Sequence, residues 1–337
     1  MKMEARLKFI YNMKKRIIPL LLISILASCS NQNSYIKREV FCFDTWNYIR
    51  LYDGKAKDAD KLKELFEMYD ALSDNYLPRD VNNVYTINNT HEEVEVSPYL
   101  FELLKFAVQG DKFGLDYFNP LCGSLAKKWK EAIEKKERLS QEVINEELVK
   151  MNNTTIEFNS TDGYKVKRMG DAELDLGGLI KGYMLDITQR YFAYVYLEEK
   201  RNIDSYIIDC GHSSIKLGRK NTGNGEYKVE IKDLPNSYLH LKNCCISTSG
   251  NLEQGQHIVN PVTGELADKY DTVIAITDNE NGTYGDMLST SLMNNTIEEI
   301  KELEKKFDGI FVPTLKTIVI KGGKVVYKHP DLKIYNS

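Results

Sequence analysis

The 337-residue chain has few of the features that usually place a protein at a glance. It carries only six cysteines and no CxxC spacing, which argues against a structural zinc site or a thioredoxin-type redox pair. With Cys29 set aside, five remain. That number is odd, and a chain of this size does not depend on a disulfide framework. Adjacent Cys244 and Cys245 sit in an apolar stretch and read as buried thiols. An excess of one charge is also missing. The formal net charge is -4 and basic residues are dispersed, so nothing points to nucleic acid, and any affinity for phosphate must come from local features. GxGxxG and Walker loops are absent. No Pro-, Gly- or Ser-rich linker divides the chain, and no short repeat runs through it. What the chain does have is 42% hydrophobic residues, enough for a buried core.

The N-terminus is the first informative segment. Lys14, Lys15 and Arg16 precede an apolar run from Ile17 to Ala27, interrupted by Pro19 and Ser24. The run is too short to span a bilayer with comfort and has the shape of a secretory signal. Leu26-Ala27-Ser28-Cys29 resembles a bacterial lipobox, in which the cysteine becomes the lipidated first residue. A short core helix ending at a chance cysteine is the alternative. The polar run Ser30 to Ser34 favours a tether. The expected organisation is a signal peptide over 1–28, a tether from lipidated Cys29 over 29–38 and one domain over 39–337. That places the protein in the cell envelope, on the periplasmic side of a bacterial membrane and held to it by a lipid anchor.

Alternation over Tyr48 to Tyr52, closed by Asp53-Gly54, predicts a strand and a turn. Leu62, Leu65, Phe66, Tyr69 and Leu72 recur at helical spacing. Ser97-Pro98 reads as the N-cap and first residue of a helix that ends at Gly110. Helices are also predicted over 124–137 and 140–150. A strand-rich stretch, 154–176, leads through Gly177-Gly178 into a helix over 180–196. Ile207-Ile208 and Val273 to Thr277 read as buried strands. Thr296 to Glu299 is a capping box, and a hairpin around Gly322-Gly323 closes the chain. Strands and helices mix without regular βαβ alternation. The fold class is therefore α+β, a single compact unit with room for two subdomains.

Three clusters could carry chemistry. In Asp175-Leu176-Gly177-Gly178-Leu179-Ile180-Lys181 a glycine pair opens a helix. Its backbone N–H groups and Lys181 could meet a phosphate, although a plain tight turn has the same pattern. Thr248-Ser249-Gly250, followed by His257 to Gly264, suits a loop against a flat ligand. His257 is the histidine whose polar neighbours look organised, yet a lone histidine is more often a surface residue. Asp286 and Thr290 lie four apart. In the first turn of a helix their oxygens would share a face and could hold a hard cation such as Mg²⁺. The simpler alternative makes Asp286 an N-cap.

Taken in this order, the clusters resemble the FAD:protein FMN transferase family, also called ApbE or flavin transferases. The likeness covers nearly the whole mature chain. Asp175 to Asp186 is similar to the family's acidic-apolar-Gly-Lys-Gly segment. Thr248 to Gly264 is similar to its Thr-Ser-Gly and His-apolar-apolar-Asp-Pro-x-Thr-Gly loops, and Asp286 to Thr290 to its Asp-x-x-x-Thr. Weaker likenesses are Ser73 with Tyr76, Val84 to Asn88, Tyr117 to Pro120 with Trp129, and Phe43-Asp44-Thr45 where the family has Met-Gly-Thr.

The resemblance implies two related, T-fold-like subdomains with FAD between them. Tyr76, Tyr117, Phe118 and Asn119 would meet the isoalloxazine, with Phe43 elsewhere in the FAD site. Asp175, Lys181, Thr248, Ser249, Gly250 and Val259 would complete the FAD site. Mg²⁺ would be held by Asp286, Ser289, Thr290 and the Gly178 carbonyl. A threonine hydroxyl of an acceptor protein would attack the FMN phosphorus and AMP would leave, with His257 as general base beside Lys181 and Asp286. Acceptors would be flavoprotein subunits of envelope redox complexes. The chain departs from the family at Asn119 and Asn260, where Asp is common, at Asp44 for a glycine, and at Asp209-Cys210-Gly211-His212 for Asp-x-Gly-Gly. Asparagine keeps hydrogen bonding but loses charge. A Mg²⁺-dependent FAD pyrophosphatase and a non-catalytic FAD-binding lipoprotein are the competing readings.

Overall fold

The computed structural model describes residues 35–109, 115–252, 255–307 and 314–336. The expected signal segment, Cys29, residues 30–34 of the expected tether and Gly110 lie outside the described residues. Strand β1 (Ile36–Cys42) starts three residues before the domain start expected at 39. The expected tether runs to residue 38, but Lys37 and Glu39 point outward while Val40 and Cys42 are buried, which is the period of a half-buried strand. It pairs antiparallel with β2 (Thr45–Leu51). Only Phe43 and Asp44 connect them, both left-handed at φ 55° and 58°, as the two-residue hairpin of type I′ requires. Aspartate tolerates that region better than most residues, so the missing glycine costs little here. The Phe43 N–H donates to Asp70 Oδ1 at 2.6 Å and fixes the turn.

Helix α1 (Ala56–Ser73) lays Leu62, Phe66, Tyr69 and Leu72 against this hairpin. Buried Asp58 accepts from the Lys55 N–H at 2.6 Å, Tyr191 Oη at 3.0 Å and Arg201 at 2.9 Å. Burial pushes its carboxyl up, but the bonds from Arg201, Lys55 and Tyr191 outweigh that and hold it below the usual carboxylate range. Asp58→Asn is expected to cost about 2 kcal/mol at neutral pH. A depressed folded pKa contributes stability above the unfolded value, about 3.9, and loses it as pH falls through the folded value. Thermal melts of variant and wild type should therefore converge as the pH drops below that value.

A lobe follows, built from α2 (Val84–Asn88), β3 (Val94–Glu95), α3 (Pro98–Gln109), α4 (Gly123–Lys135), α5 (Gln141–Asn152), β4 (Thr155–Asn159) and β5 (Lys165–Met169). The Ser97 hydroxyl accepts the Leu100 N–H at 3.2 Å, the cap expected from sequence. The three strands form a small sheet in the order β3-β5-β4. Beyond Met169 the expected strand gives way to irregular chain that side chains hold in place. Arg168 donates to the carbonyls of Ile87, Asn88, Thr90, Gly170 and Ala172. The Asn88 amide donates to Leu174 O at 2.9 Å and accepts the Leu174 N–H at 2.8 Å, standing in for a peptide group. This delivers Asp175 to the start of the next helix.

The remaining elements are α6 (Ile180–Glu199), β6 (Tyr206–Cys210), β7 (Ser214–Leu217), β8 (Tyr227–Glu230), β9 (Ser237–Leu241), β10 (Cys244–Gly250), β11 (Thr272–Asp278), α7 (Gly282–Leu292), α8 (Ile297–Lys306), β12 (Leu315–Lys321), β13 (Lys324–Lys328) and β14 (Tyr335–Asn336). Eight strands form an antiparallel sheet in the order β1-β2-β6-β7-β10-β11-β12-β13. One face packs on α1, α6 and α7. The other is covered from β6 to β12 by the sheet β14-β9-β8. Val273 and Ala275 face the helices while Ile274 and Ile276 face the small sheet, so β11 reads as an unbroken apolar run. Thr296 and Glu299 form the expected capping box at 2.7 and 3.2 Å. The α+β reading holds. Cys42, Cys210, Cys244 and Cys245 are buried free thiols, and burial pushes those of Cys42 and Cys245 up to about 12.

Candidate functional site

The site is built where α6 and α7 cross. Gly182 and Gly282 face one another, and a Cβ on Gly182 would fall 2.6 Å from Asp286 Cβ and against the Gly282 carbonyl. At this distance each helix supplies the other with a cap. Asp286 Oδ2 accepts the Gly182 N–H, in the first turn of α6, at 2.9 Å. Asp186 accepts the N–H groups of Gly282 and Thr283, the first two of α7, at 2.7 and 2.8 Å. Carboxylates at helix N-termini meet orphan donors and the positive end of the helix dipole. Asp286 is thus neither in the first turn of its own helix nor its N-cap, as the spacing had suggested. It is the fifth residue of α7 and caps α6 instead. Lys216, fully buried on β7, donates to Asn279 O, and its charge offsets part of the upward push that burial gives Asp186.

Asp286 is almost completely buried. Burial raises its carboxyl pKa; Lys181, the Gly182 N–H and Ser214 act against that rise. Ser214 donates to Asp286 Oδ1 at 3.1 Å. Lys181 is the second residue of α6 and half-buried, so its ammonium is held near this carboxylate by the helix itself.

Neutral oxygens gather on the next turn of α7. Ser289 and Thr290 donate to Asp286 O at 3.0 and 3.2 Å, and Ser249 Oγ lies 2.8 Å from Ser289 Oγ and 3.3 Å from Thr290 Oγ1. The Thr248-Ser249-Gly250 stretch expected as a loop is the end of strand β10, in register with β11. The Ser249 hydroxyl meets α7. Four helical residues rise about 6 Å and two strand residues roughly 6.6 Å, so Gly285 and Ser289 match Ser247 and Ser249.

The glycine turn closes over this cluster. A Cβ on Gly178 would stand 3.4 Å from Thr290 Oγ1 and 3.1 Å from the Phe118 ring. Asp175 Oδ1 accepts the Gly177 N–H at 2.7 Å, and the Asp175 N–H donates to Pro120 O at 2.8 Å. The Tyr117 N–H donates to Ser291 Oγ at 3.2 Å. The first and third sequence clusters, with Tyr117, Phe118 and Ser249, therefore meet at one place. Among the described residues no group of three or more His, Cys, Asp or Glu side chains is gathered. A cation here would find one carboxylate, hydroxyls and a carbonyl, an all-oxygen set suited to a small hard ion that takes its other ligands from a phosphate.

Other expected residues stand apart from this cluster. Phe43 is in the β1–β2 turn, and Gly211 packs its backbone onto Thr45 beside it. Tyr76 is exposed, with Lys127 and Lys130 each 5.1 Å from its ring centre. His257 is exposed on the 255–267 loop, its Nδ1 2.8 Å from Gly255 O, and no contact to Asp286 is present among the described residues. Val259 is buried and bridges to Leu266, and Trp129 Nε1 donates to Gly264 O at 2.8 Å, docking the loop on α4.

The two asparagines act as turn formers. Asn119 Oδ1 accepts the Leu121 N–H at 2.9 Å; Asn260 Oδ1 accepts those of Val262 and Thr263 at 2.9 and 3.1 Å. A carboxylate could accept the same backbone bonds, but at Asn260 it would lose the amide's donation to Asn294 Oδ1 at 3.1 Å. Asn119→Asp is therefore expected to leave turnover within about threefold of wild type. A larger loss in steady-state rate would assign that position a role beyond the turn. Sequence reasoning missed Asp186, Ser214 and the pairing of Asn88 with Leu174. Asp186 could have been suspected as a carboxylate at the buried stripe of a helix, but nothing marked the other two.

Comparison with known proteins places the fold and the family. The model of the ApbE family matches residues 43–312. An FAD:protein FMN transferase of Chlamydia muridarum is 22% identical over 258 residues, spanning 74% of this chain and 79% of that protein. The ApbE protein of Thermotoga maritima superposes with a TM-score of 0.69 at 22% identity, over 90% of this chain and 97% of that one. The flavin transferase ApbE of Vibrio cholerae gives 0.64 at 18% identity, over 90% and 97%. The chain belongs to the ApbE family.

Proposed function

We propose that this protein is an FAD:protein FMN transferase that moves FMN from FAD to a threonine side chain of an acceptor protein and releases AMP. The observation that carries the reading is the buried Asp286 carboxylate, which feels the Lys181 charge, on the helix whose Thr290 hydroxyl meets the Gly178 turn. That arrangement suits a diphosphate. Lys181 offsets phosphate charge, and the turn lets backbone come close. Asp286, Ser289, Thr290 and the Gly178 carbonyl would hold Mg²⁺, which supplies charge neutralisation to phosphoryl transfer.

In the reaction the acceptor oxygen forms a bond to the FMN phosphorus, the bond from that phosphorus to the bridging oxygen breaks, and AMP leaves with that oxygen. His257 accepts the hydroxyl proton. Its Nδ1 faces a carbonyl and must be the donor, which leaves the Nε2 lone pair of the neutral ring for the proton. Tyr76, Tyr117, Phe118 and Asn119 hold the flavin ring; Phe43, Asp175, Thr248, Ser249, Gly250 and Val259 line the remainder. The acceptors are flavoprotein subunits of envelope redox complexes, and Cys29 carries the lipid that keeps the enzyme beside them.

Incubation with FAD, Mg²⁺ and a threonine-bearing acceptor peptide tests this. Flavin fluorescence that stays with the peptide after denaturation is the expected result. AMP and free FMN without labelled peptide would make the protein a pyrophosphatase, and intact bound FAD would make it a binding protein.

A further inference from the structure

The outer face of the β1–β2 hairpin is a cross-strand ladder. Phe41 pairs with Trp46, Glu39 with Tyr48 and Lys37 with Arg50, and Tyr35 meets Tyr52 at 5.3 Å. Phe41 and Trp46 stack edge to face at 5.5 Å, yet remain 50% and 53% exposed; Tyr35 is 46% exposed. Lys37 and Arg50 both reach over the Tyr48 ring. The small sheet covering this side of the large sheet packs on Tyr52 and extends no further along the hairpin. Aromatic rings with cations among them, on a strand at the edge of a sheet, are an aggregation hazard if left in water.

We propose that this face lies on the lipid surface of the membrane, with Phe41 and Trp46 in the headgroup layer and Lys37 and Arg50 against lipid phosphates. The proposal rests on the lipid-anchor reading given above. Residues 30–34 alone separate Cys29 from Tyr35, a reach of at most roughly 20 Å. The bilayer must then lie close to Tyr35, and the ladder begins at Tyr35. Indole and phenol rings settle at the membrane–water interface, and long cationic side chains extend to the phosphates. The same hairpin borders the site. His212 stacks on Tyr48 at 5.8 Å, and two residues further on Ser214 holds Asp286. The site would therefore open beside the bilayer.

The chain carries its own probe. It has two tryptophans, and Trp129 is buried, so quenching by lipid reports Trp46. Full-length protein reconstituted with phosphatidylcholine–phosphatidylglycerol vesicles bearing brominated acyl chains is expected to float with them. Its emission should be strongly quenched, and Trp46→Phe should remove the quenched component. Flotation that requires Cys29 with Trp46 unquenched would overturn the membrane face, leave the anchor standing and point to a protein partner on these rings. Quenching that survives Cys29→Ala would support the face as a membrane contact that does not depend on the anchor. Neither flotation nor quenching would sink both.

Discussion

Asp286→Asn is expected to lower the rate of FMN transfer by about 10²–10³-fold, with Lys181 and Thr290 still in place. The variant keeps the size of the side chain, so α7 need not shift. It loses the charge that sits across from Lys181, and its amide presents a donor to either Gly182 N–H or Ser214 Oγ, both already donors. The pH dependence of stability gives a second readout. Burial raises the Asp286 carboxyl in the fold. A raised pKa favours the protonated fold. Wild type should therefore gain stability relative to Asp286→Asn as pH falls through the raised value toward about 3.9. Adding Mg²⁺ should raise the melting temperature of wild type and not of the variant. Transfer assays and melts across that pH range check both. Full turnover in the variant, with Mg²⁺ still required, would refute the assignment.

Gly182→Ala is expected to be strongly destabilising. Alanine in place of glycine ordinarily favours a helix by about 1 kcal/mol. Here the added carbon would stand 2.6 Å from Asp286 Cβ and against the Gly282 carbonyl, and neither is the end of a flexible side chain. The helices must part, and overpacking of this kind costs about 3 kcal/mol or more. Separation also breaks the bond from the Gly182 N–H to Asp286. A lowered melting temperature together with loss of FAD binding is the expected pair of results. Gly177→Ala is a fair control, because its new carbon would meet only the Asp175 side chain, at 3.0 Å. It should leave stability nearly unchanged. Equal melting curves for Gly182→Ala and wild type would mean the crossing is looser than described.

Local features were legible in the sequence wherever the partners are neighbours in the chain. The Thr296–Glu299 box, the Ser97-Pro98 start, the Gly322-Gly323 hairpin and Lys181 in the first turn of its helix each involve residues within a few positions. The candidate site could be read in the sequence as separate clusters but not as an arrangement, and His257 of the second cluster stands apart from the other two. Asp286 spaced four from Thr290 suggested a cap on its own helix, whereas its partner Gly182 is 104 residues away. Asn88 and Leu174 are 86 apart, and no periodicity reports such a pair. Asp44 was read against a family glycine, but the turn needs only a left-handed backbone, which aspartate can adopt. Thr248 to Gly250 looked like loop because small hydroxyl residues favour turns. Close packing of α7 on β10 demands the same residues for another reason.

The mutual completion of α6 and α7 also bears on how the enzyme comes off the ribosome. Each helix start waits for an acid roughly a hundred positions away, 104 in one direction and 96 in the other. A nascent chain that has released α6 but not α7 has no carboxylate beside Lys181 and no floor beneath the glycine turn. Flavin capture at the proposed site is thus expected to need the finished polypeptide. Truncation anywhere before α7 should remove it whole and leave no weaker remnant behind.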